Sequence, residues 1–331
     1  MIGIFKTSKA RKIFGLFLMG SVAATAAKAD EPSRWLLKDH DTTIHIMGTV
    51  HALPEGTRWL SESTRDALYG SDTLVLEVPP GHLLGGGMTK EQEKDYFLPR
   101  HTYLYDVLDE DLYKSVALRM EELSLPVQTW GRLKPWAVAQ LVAASFNMDT
   151  ELSALLGVEL TMMAMIKDEY KNVIGLETDN SATVAQLAMA DEDGVQAIRI
   201  ALREGALQEE WVLRLIDAWK VGDDELLADL SLELDSWSEF PKYSKAMLED
   251  RNRVWVDSVE HLMRFKGTYF IAVGAAHLVG ENNFIQLLAN EGMVAERRTG
   301  TGPIYSAPEG SDDDGAAEPE ADEANGEVTG S

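Results

Sequence analysis

Residues 44–51 read Ile44-His-Ile-Met-Gly-Thr-Val-His51, and residues 269–277 read Tyr269-Phe-Ile-Ala-Val-Gly-Ala-Ala-His277. Each opens as an apolar or alternating run of the kind that forms a largely buried strand. Each then meets a glycine, Gly48 or Gly274, with a histidine three residues later. After the first, Leu53-Pro-Glu-Gly56 leads into an amphipathic helical segment at 60–69 and the short apolar run Thr73-Leu-Val-Leu-Glu-Val78. After the second, Leu278-Val-Gly280 leads into a helical segment at 283–290 and a last strand at 293–298. A unit of strand, Gly-x-x-His, loop, helix and strand therefore occurs twice, its histidines 226 positions apart (277 − 51). The glycine is expected to let the chain turn sharply, so that the histidine projects over the sheet. Both histidines fall just past the carboxyl end of a strand, the edge at which open α/β sheets bind ligands.

Working outward, Arg34-Trp-Leu-Leu-Lys38 reads as a hairpin partner of the strand at 42–49, turned at Asp39-His-Asp41. Asn172-Val-Ile-Gly-Leu-Glu177 is a further strand. Strands interleaved with helices imply an α/β fold with a central, mostly parallel sheet. Two long helical stretches, at about 90–170 and 179–266, interrupt it as insertions; within them 151–170 reads as one helix and 179–266 as four or five. The stretch 81–88, with Gly85-Gly-Gly87, reads as a flexible loop.

The ends stand apart from this body, which spans 30–305. Residues 1–29 carry five basic residues and no acid, an apolar or small-residue run at 13–27, and Ala27-Lys28-Ala29 before Asp30. That is the pattern of a cleaved secretory signal peptide. No later segment is apolar enough to span a bilayer, so the sequence predicts an exported protein, periplasmic or secreted, with no transmembrane anchor after cleavage. Residues 306–331 form an acidic tail whose last 23 positions hold nine acids and no base, a composition that predicts disorder. The whole chain of 331 residues has 30 Lys+Arg against 55 Asp+Glu, a net charge of −25, which argues against nucleic acid as a partner. It has no Cys, which excludes disulfides, thiolate ligands, a Cys nucleophile and a lipid-modified Cys.

Two more strands end in acids, Glu77 and Glu177. If the four strands are parallel neighbours, His51, Glu77, Glu177 and His277 share one edge. Two imidazoles and a carboxylate form a common open site for a divalent transition ion, and a vacant position would hold a water of lowered pKa. The remaining Glu would serve as general base. A metal-free alternative uses one His as base and a Glu to orient it. His45 is expected to pack or pair across the sheet, and His40, His82, His101 and His261 have no spaced partner. No Gly-x-Ser-x-Gly elbow, phosphate loop or His-Glu-x-x-His helix occurs. Arg251-Asn252-Arg253 lies in an amphipathic helix with Leu248, Val254, Trp255 and Val259. On spacing alone it reads as a solvated face balancing Glu249 and Asp250, with a bidentate carboxylate clamp as the alternative.

Gly48-Thr-Val-His51 with Leu53-Pro54, Leu74-Val-Leu-Glu77, Gly175-Leu-Glu-Thr178, Arg251-Asn252 and Ala272-Val-Gly-Ala-Ala-His-Leu278 with Gly280 together resemble the TraB/GumN family, which includes the Tiki proteases. The resemblance covers roughly 34–299, and the chain looks like a member of the secreted bacterial branch often labelled GumN-like. It implies two Gly-x-x-His motifs and acids forming one site, in a fold akin to the erythromycin-esterase and ChaN-like proteins. From the Tiki branch it implies a metal-dependent hydrolase of the metallopeptidase kind acting on a peptide or protein substrate, with manganese or cobalt favoured and zinc compatible. Carried over, His51, His277 and Glu77 match the metal-site residues, and Glu77 matches an acid that is either ligand or base. Glu177 matches the acid of the Gly-Leu-Glu-Thr motif, and Arg251 and Asn252 match a characteristic pair. Gly157-Val-Glu159 stands where relatives commonly show Gly-x-Asp, and the Tiki membrane anchor is absent. The alternative implied by other relatives is a non-catalytic peptide- or glycan-binding accessory protein, of the pheromone-shutdown or polysaccharide-biosynthesis type.

Overall fold

The computed structural model describes residues 31–83, 94–148, 151–169, 171–177, 193–205, 208–233, 238–301 and 304–306. The segment 1–29 expected to be a signal peptide, the glycine run at 85–87, the start of the expected second insertion at 179–192 and the acidic stretch beyond 306 lie outside the described residues.

Among the described residues the strands are β1 (Arg34–Lys38), β2 (Thr42–Thr49), β3 (Leu53–Pro54), β4 (Thr73–Leu76), β5 (Leu152–Ser153), β6 (Asn172–Gly175), β7 (Gly267–Gly274) and β8 (Glu296–Thr299). Six of them form one sheet in the order β6-β4-β7-β2-β1-β8. The run β6, β4, β7, β2 is parallel throughout, and β1 is antiparallel to both of its neighbours. The fold is therefore α/β with a mostly parallel mixed sheet. Both faces are covered, as continuous apolar strands require. Period-two alternation assigns the faces: Met47, Leu74, Leu76, Phe270 and Ala272 pack on one side with Trp219, Val158 and Met162. Ile44, Ile46, Val75, Ile271 and Val273 pack on the other with Trp255, Val259, Phe284 and Leu288.

Each histidine-bearing strand leads to a helix and then a strand: β2 to the helix Glu62–Gly70 and β4, β7 to the helix Phe284–Asn290 and β8. The helix at 62 starts where Ser61 accepts from the Thr64 N–H at 3.1 Å, a cap of about 1 kcal/mol. The two units do not place their second strands alike: β4 lies beside β7, whereas β8 lies beyond β1 on the far edge. The helices Glu110–Glu122, Pro135–Met148 and Gly194–Gly205 build a separate apolar cluster around Val116, Trp136, Val142 and Ile198.

Two expectations change. The segment 151–170 is not one helix: β5 pairs with β3, a 3-10 turn follows, and the helix runs only over Val158–Ile166. The break is at Gly157, where a Cβ would stand 2.3 Å from the His51 carbonyl oxygen, and Val158 N–H donates to Val50 O at 3.1 Å. This segment is thus docked on the loop that carries His51. In the stretch 81–88, the described part forms a helical turn, Pro80–Leu83.

Candidate functional site

The carboxyl ends of β2, β4, β6 and β7 deliver His51, Glu77, Glu177 and His277 to one edge, because the four strands are consecutive and parallel. The turn after β4 and the turn after β6 run together, with Glu177 N–H donating to Glu77 O at 3.0 Å. The glycines of the two motifs act by size rather than by φ. Gly274 has a φ of −50°, and neither it nor Gly48 is among the positive-φ positions. A Cβ at Gly48 would stand 3.1 Å from Ala275, so its absence lets β2 lie against the turn after β7. A Cβ at Gly274 would stand 3.0 Å from Glu77 Oε1, 3.6 Å from His277 Cδ2 and 3.7 Å from His51 Nε2. Both imidazoles and the Glu77 carboxylate therefore surround one backbone position.

Arg251 sits at the centre. It opens the helix Arg251–Leu262, which follows a π-helical turn at Ala246–Asp250. Its Nε donates to Glu177 Oε1 at 2.6 Å, its Nη2 to Glu77 Oε2 at 2.6 Å and its Nη1 to His277 Nε2 at 3.3 Å. The guanidinium carbon lies 5.0 Å from the Trp255 ring centroid, and Trp255 Nε1 donates to the same Glu177 oxygen at 2.8 Å. Glu177 Oε2 is buried and has no hydrogen-bond partner among the described residues. The solvated-face reading holds for Arg253, which pairs with Glu249 at 2.9 Å in the open, and fails for Arg251, which is 5% exposed. Val254, too, faces solvent rather than the core.

The two rings are held alike but differ in surroundings. His277 is buried, lies with its ring centroid 4.2 Å from that of Trp255 at an interplanar angle of 42°, and hydrogen-bonds Asn252 Oδ1 through Nδ1 at 2.7 Å. Asn252 Nδ2 donates in turn to Asn282 O at 3.2 Å, which fixes the carboxamide with its oxygen toward the ring. His277 Nδ1 thus carries the hydrogen and Nε2 is the acceptor for Arg251. Burial, with help from the Arg251 and His51 charges, lowers the His277 pKa to about 3 against the pull of Glu77, so this ring is neutral. His51 projects into the open, its side chain 69% exposed, and its Nδ1 meets the buried Glu159 Oε1 at 2.8 Å. Thr49 donates to the same oxygen at 2.5 Å. The Glu159 hydrogen bond, with the Glu159 and Glu77 charges, raises the His51 pKa to about 9. At Glu77, burial pushes the carboxyl up. The neighbouring cations, His277 when protonated, Arg251 and His51, together with the Gly274 N–H at 2.6 Å, outweigh it and bring the pKa to about 2.

All six residues named from the sequence are thus brought together. Sequence reasoning missed three partners: Glu159, Thr49 and Trp255. The signal for Trp255 was its position four residues after Arg251 on one helical face. Glu159 was visible only as a departure within Gly157-Val-Glu159. His45, as expected, pairs across the sheet, its Nδ1 3.2 Å from Arg34 Nη1 and its ring stacked on Phe270.

No helix among the described residues is long and apolar enough to cross a membrane. In comparisons with known proteins, the uncharacterized protein YbaP of Escherichia coli K12 is 21% identical over 244 residues, covering 74% of this chain and 87% of YbaP. YbaP of Shigella flexneri matches to the same extent, 21% over 244 residues. No solved structure matches significantly. The model of the TraB/PrgY/gumN family matches residues 33–297, which contain every residue of the site. The chain belongs to the TraB/PrgY/gumN family.

Proposed function

We propose that this chain is an exported metal-dependent hydrolase acting on peptides, with His51, His277 and Glu77 as the metal-binding residues. The observation that carries the reading is the matched posture of the two imidazoles. Each has Nδ1 held by a side-chain oxygen, Glu159 for His51 and Asn252 for His277, which leaves Nε2 as the ring nitrogen on the Glu77 side, in His277 engaged by Arg251 Nη1 at 3.3 Å. An oxygen partner on the far ring nitrogen is the usual way a metal-ligating histidine is oriented. The donor set fits a divalent transition ion in type. Glu77 Oε1 and His277 Nε2 stand 4.0 Å apart, within the ~4.2 Å that two ligands at ~2.1 Å from one ion can span. Manganese or cobalt is favoured and zinc is compatible. When bound, such an ion supplies Lewis acidity and lowers the pKa of water.

The rest of the chemistry falls to the chain. Glu177 keeps Oε2 uncommitted, the atom available to take a proton. Arg251, held by Glu77 and Glu177, offers Nη1 to a developing oxyanion when His277 Nε2 is otherwise engaged. Asn252 keeps His277 in one tautomer. The signal-peptide pattern at 1–29 supports export to the periplasm or medium.

A second reading, a non-catalytic peptide- or glycan-binding protein, is favoured by one observation: Arg251 already occupies the His277 lone pair at 3.3 Å. Among the described residues, the group of donor atoms that lies within 4.8 Å of one another is the exposed turn Asp39, His40, Asp41. Metal analysis must therefore compare the wild type with His277→Ala, using Asp39→Asn as the control for that turn. Stoichiometric metal lost in His277→Ala and kept in Asp39→Asn supports the hydrolase, as does cleavage of unstructured peptides abolished by chelation and restored by manganese. Equal metal content in wild type and His277→Ala after manganese or cobalt loading overturns it.

A further inference from the structure

Beside the histidine turn lies a groove of about 710 Å³ that the site described above does not use. Its floor includes Ala276 and Leu278, the residues on either side of His277, and one wall is the helix Asp224–Leu232. The volume is in the range of ligand-binding clefts. Its lining divides by chemistry. Trp211, Leu215, Leu248 and Leu278 give it an apolar base, and Leu232, 73% exposed, stands at its margin. Around that base stand Glu225, Asp229 and Glu281, exposed and without an ion pair among the described residues. The lining cation, Arg297, is bound to the buried Asp224 and stacked on Trp35, so its charge is already balanced.

We propose that this groove binds a peptide segment bearing apolar side chains flanked by Lys or Arg. Resting on the hydrolase reading, it is the subsite that selects the substrate beside His277. An apolar base rewards burial of aliphatic or aromatic side chains. Three uncompensated carboxylates at the margin favour cations and repel acidic segments. The same repulsion disfavours an acidic occupant such as a segment with the composition of the chain's own C-terminal stretch. Tyr305 lines the groove, but the residues that follow carry nine acids and no base. Nucleic acid is disfavoured on the same ground.

The test measures fluorescence anisotropy at low ionic strength with two dye-labelled unstructured peptides, one with a Leu-Lys-Leu-Arg centre and one with Leu-Glu-Leu-Glu. The proteins are the full chain, Asp229→Lys/Glu281→Lys, the milder Asp229→Asn/Glu281→Gln, and His277→Ala. The basic peptide should bind the wild type at least about tenfold tighter than the acidic one, a preference that weakens with salt. Charge neutralisation should shrink the preference, and charge reversal should abolish or invert it. His277→Ala should retain it. Equal affinity for the two peptides, or a preference unmoved by either double variant, overturns the groove. Binding with the expected preference but no manganese-dependent cleavage defeats the hydrolase reading and leaves the groove standing. Cleavage indifferent to peptide charge does the reverse.

Discussion

Arg251→Met is the sharpest perturbation of the site. The side chain is 6% exposed and holds two carboxylates at 2.6 Å each, Glu77 and Glu177. Removing one partner of a buried ion pair costs about 3–5 kcal/mol, because the other charge is left uncompensated. The Glu77 carboxyl points the same way: the neighbouring cations, Arg251 among them, hold it at about 2 against an ordinary 4.5. The sign follows from the depressed pKa. The contribution is fully present above pH 4.5 and is lost as pH falls through 2. Arg251→Met should therefore be about 3–5 kcal/mol less stable than wild type at pH 7, and the gap should narrow as pH is lowered toward 3. Urea denaturation followed by tryptophan fluorescence at pH 7, 5, 4 and 3 measures it. Arg253→Met is the internal control. Its pair with Glu249, 2.9 Å long with Arg253 58% exposed, should cost less than about 1 kcal/mol. If the two variants are equally stable at pH 7, or the Arg251→Met gap does not change with pH, the buried-clamp argument is wrong.

Three other outcomes follow from the same geometry. Glu159→Gln should bring the His51 titration down from about 9 toward its ordinary 6.5, read by NMR of the ring protons. Because that pKa is raised, any stability it supplies in the wild type is present below 6.5 and fades as pH rises through 9, so an unmoved midpoint in the variant would contradict the pairing. Asn252→Leu should weaken manganese or cobalt binding by about 10–100-fold in calorimetric titration, since the His277 tautomer is no longer fixed, while Asn252→Asp should retain most of it. Trp255→Phe, which removes the 2.8 Å donor to Glu177, should cost about 1.5–3 kcal/mol of stability. A cost no greater than an exposed substitution would mean that this hydrogen bond is not made.

The sheet and the shared edge were legible because they rest on short-range pattern plus one topological rule. Ile44 and Ile46 alternate with Met47, and Phe270 with Ile271, and each set packs on its own side of the sheet. Once four such strands run parallel, the residues that end them must meet, whatever their separation in the chain. Arg251 is a different case. Composition cannot distinguish it from Arg253, two residues on. The 3.6-residue period can: Arg251, Asn252, Trp255 and Val259 are buried, while Arg253 and Val254 are exposed. Anchoring that face on Trp255 and Val259 would have placed Arg251 inward before any coordinates. Glu159 was beyond reach by this method. Its position depends on Gly157 lying against the His51 carbonyl, a contact between segments more than 100 residues apart that leaves no periodic trace. The role of Gly48 and Gly274 was misread for a related reason. Sequence shows that a side chain is missing, not whether the backbone needs its φ or its neighbours need the space.

The charges of the cluster carry the metal reading one step further. Three carboxylates, Glu77, Glu159 and Glu177, face two cations, Arg251 and protonated His51, while His277 is neutral. The cluster is therefore one charge short of balance, and in its buried part an uncompensated carboxylate is costly. For Nε2 of His51 to act as a ligand, the protonated ring must lose its Nε2 hydrogen, while the Nδ1–H stays on Glu159 Oε1. Two positive charges gained and one proton lost bring the sum to zero, with Arg251 still needed to offset Glu177. This accounting explains how a guanidinium and a cation site can share one edge of the sheet. It also predicts that manganese or cobalt uptake at pH 7 releases about one proton per site, measured by calorimetry in buffers of different ionisation enthalpy. Uptake with no proton release would show that His51 is not a ligand and that the bound ion leaves the cluster charge unbalanced.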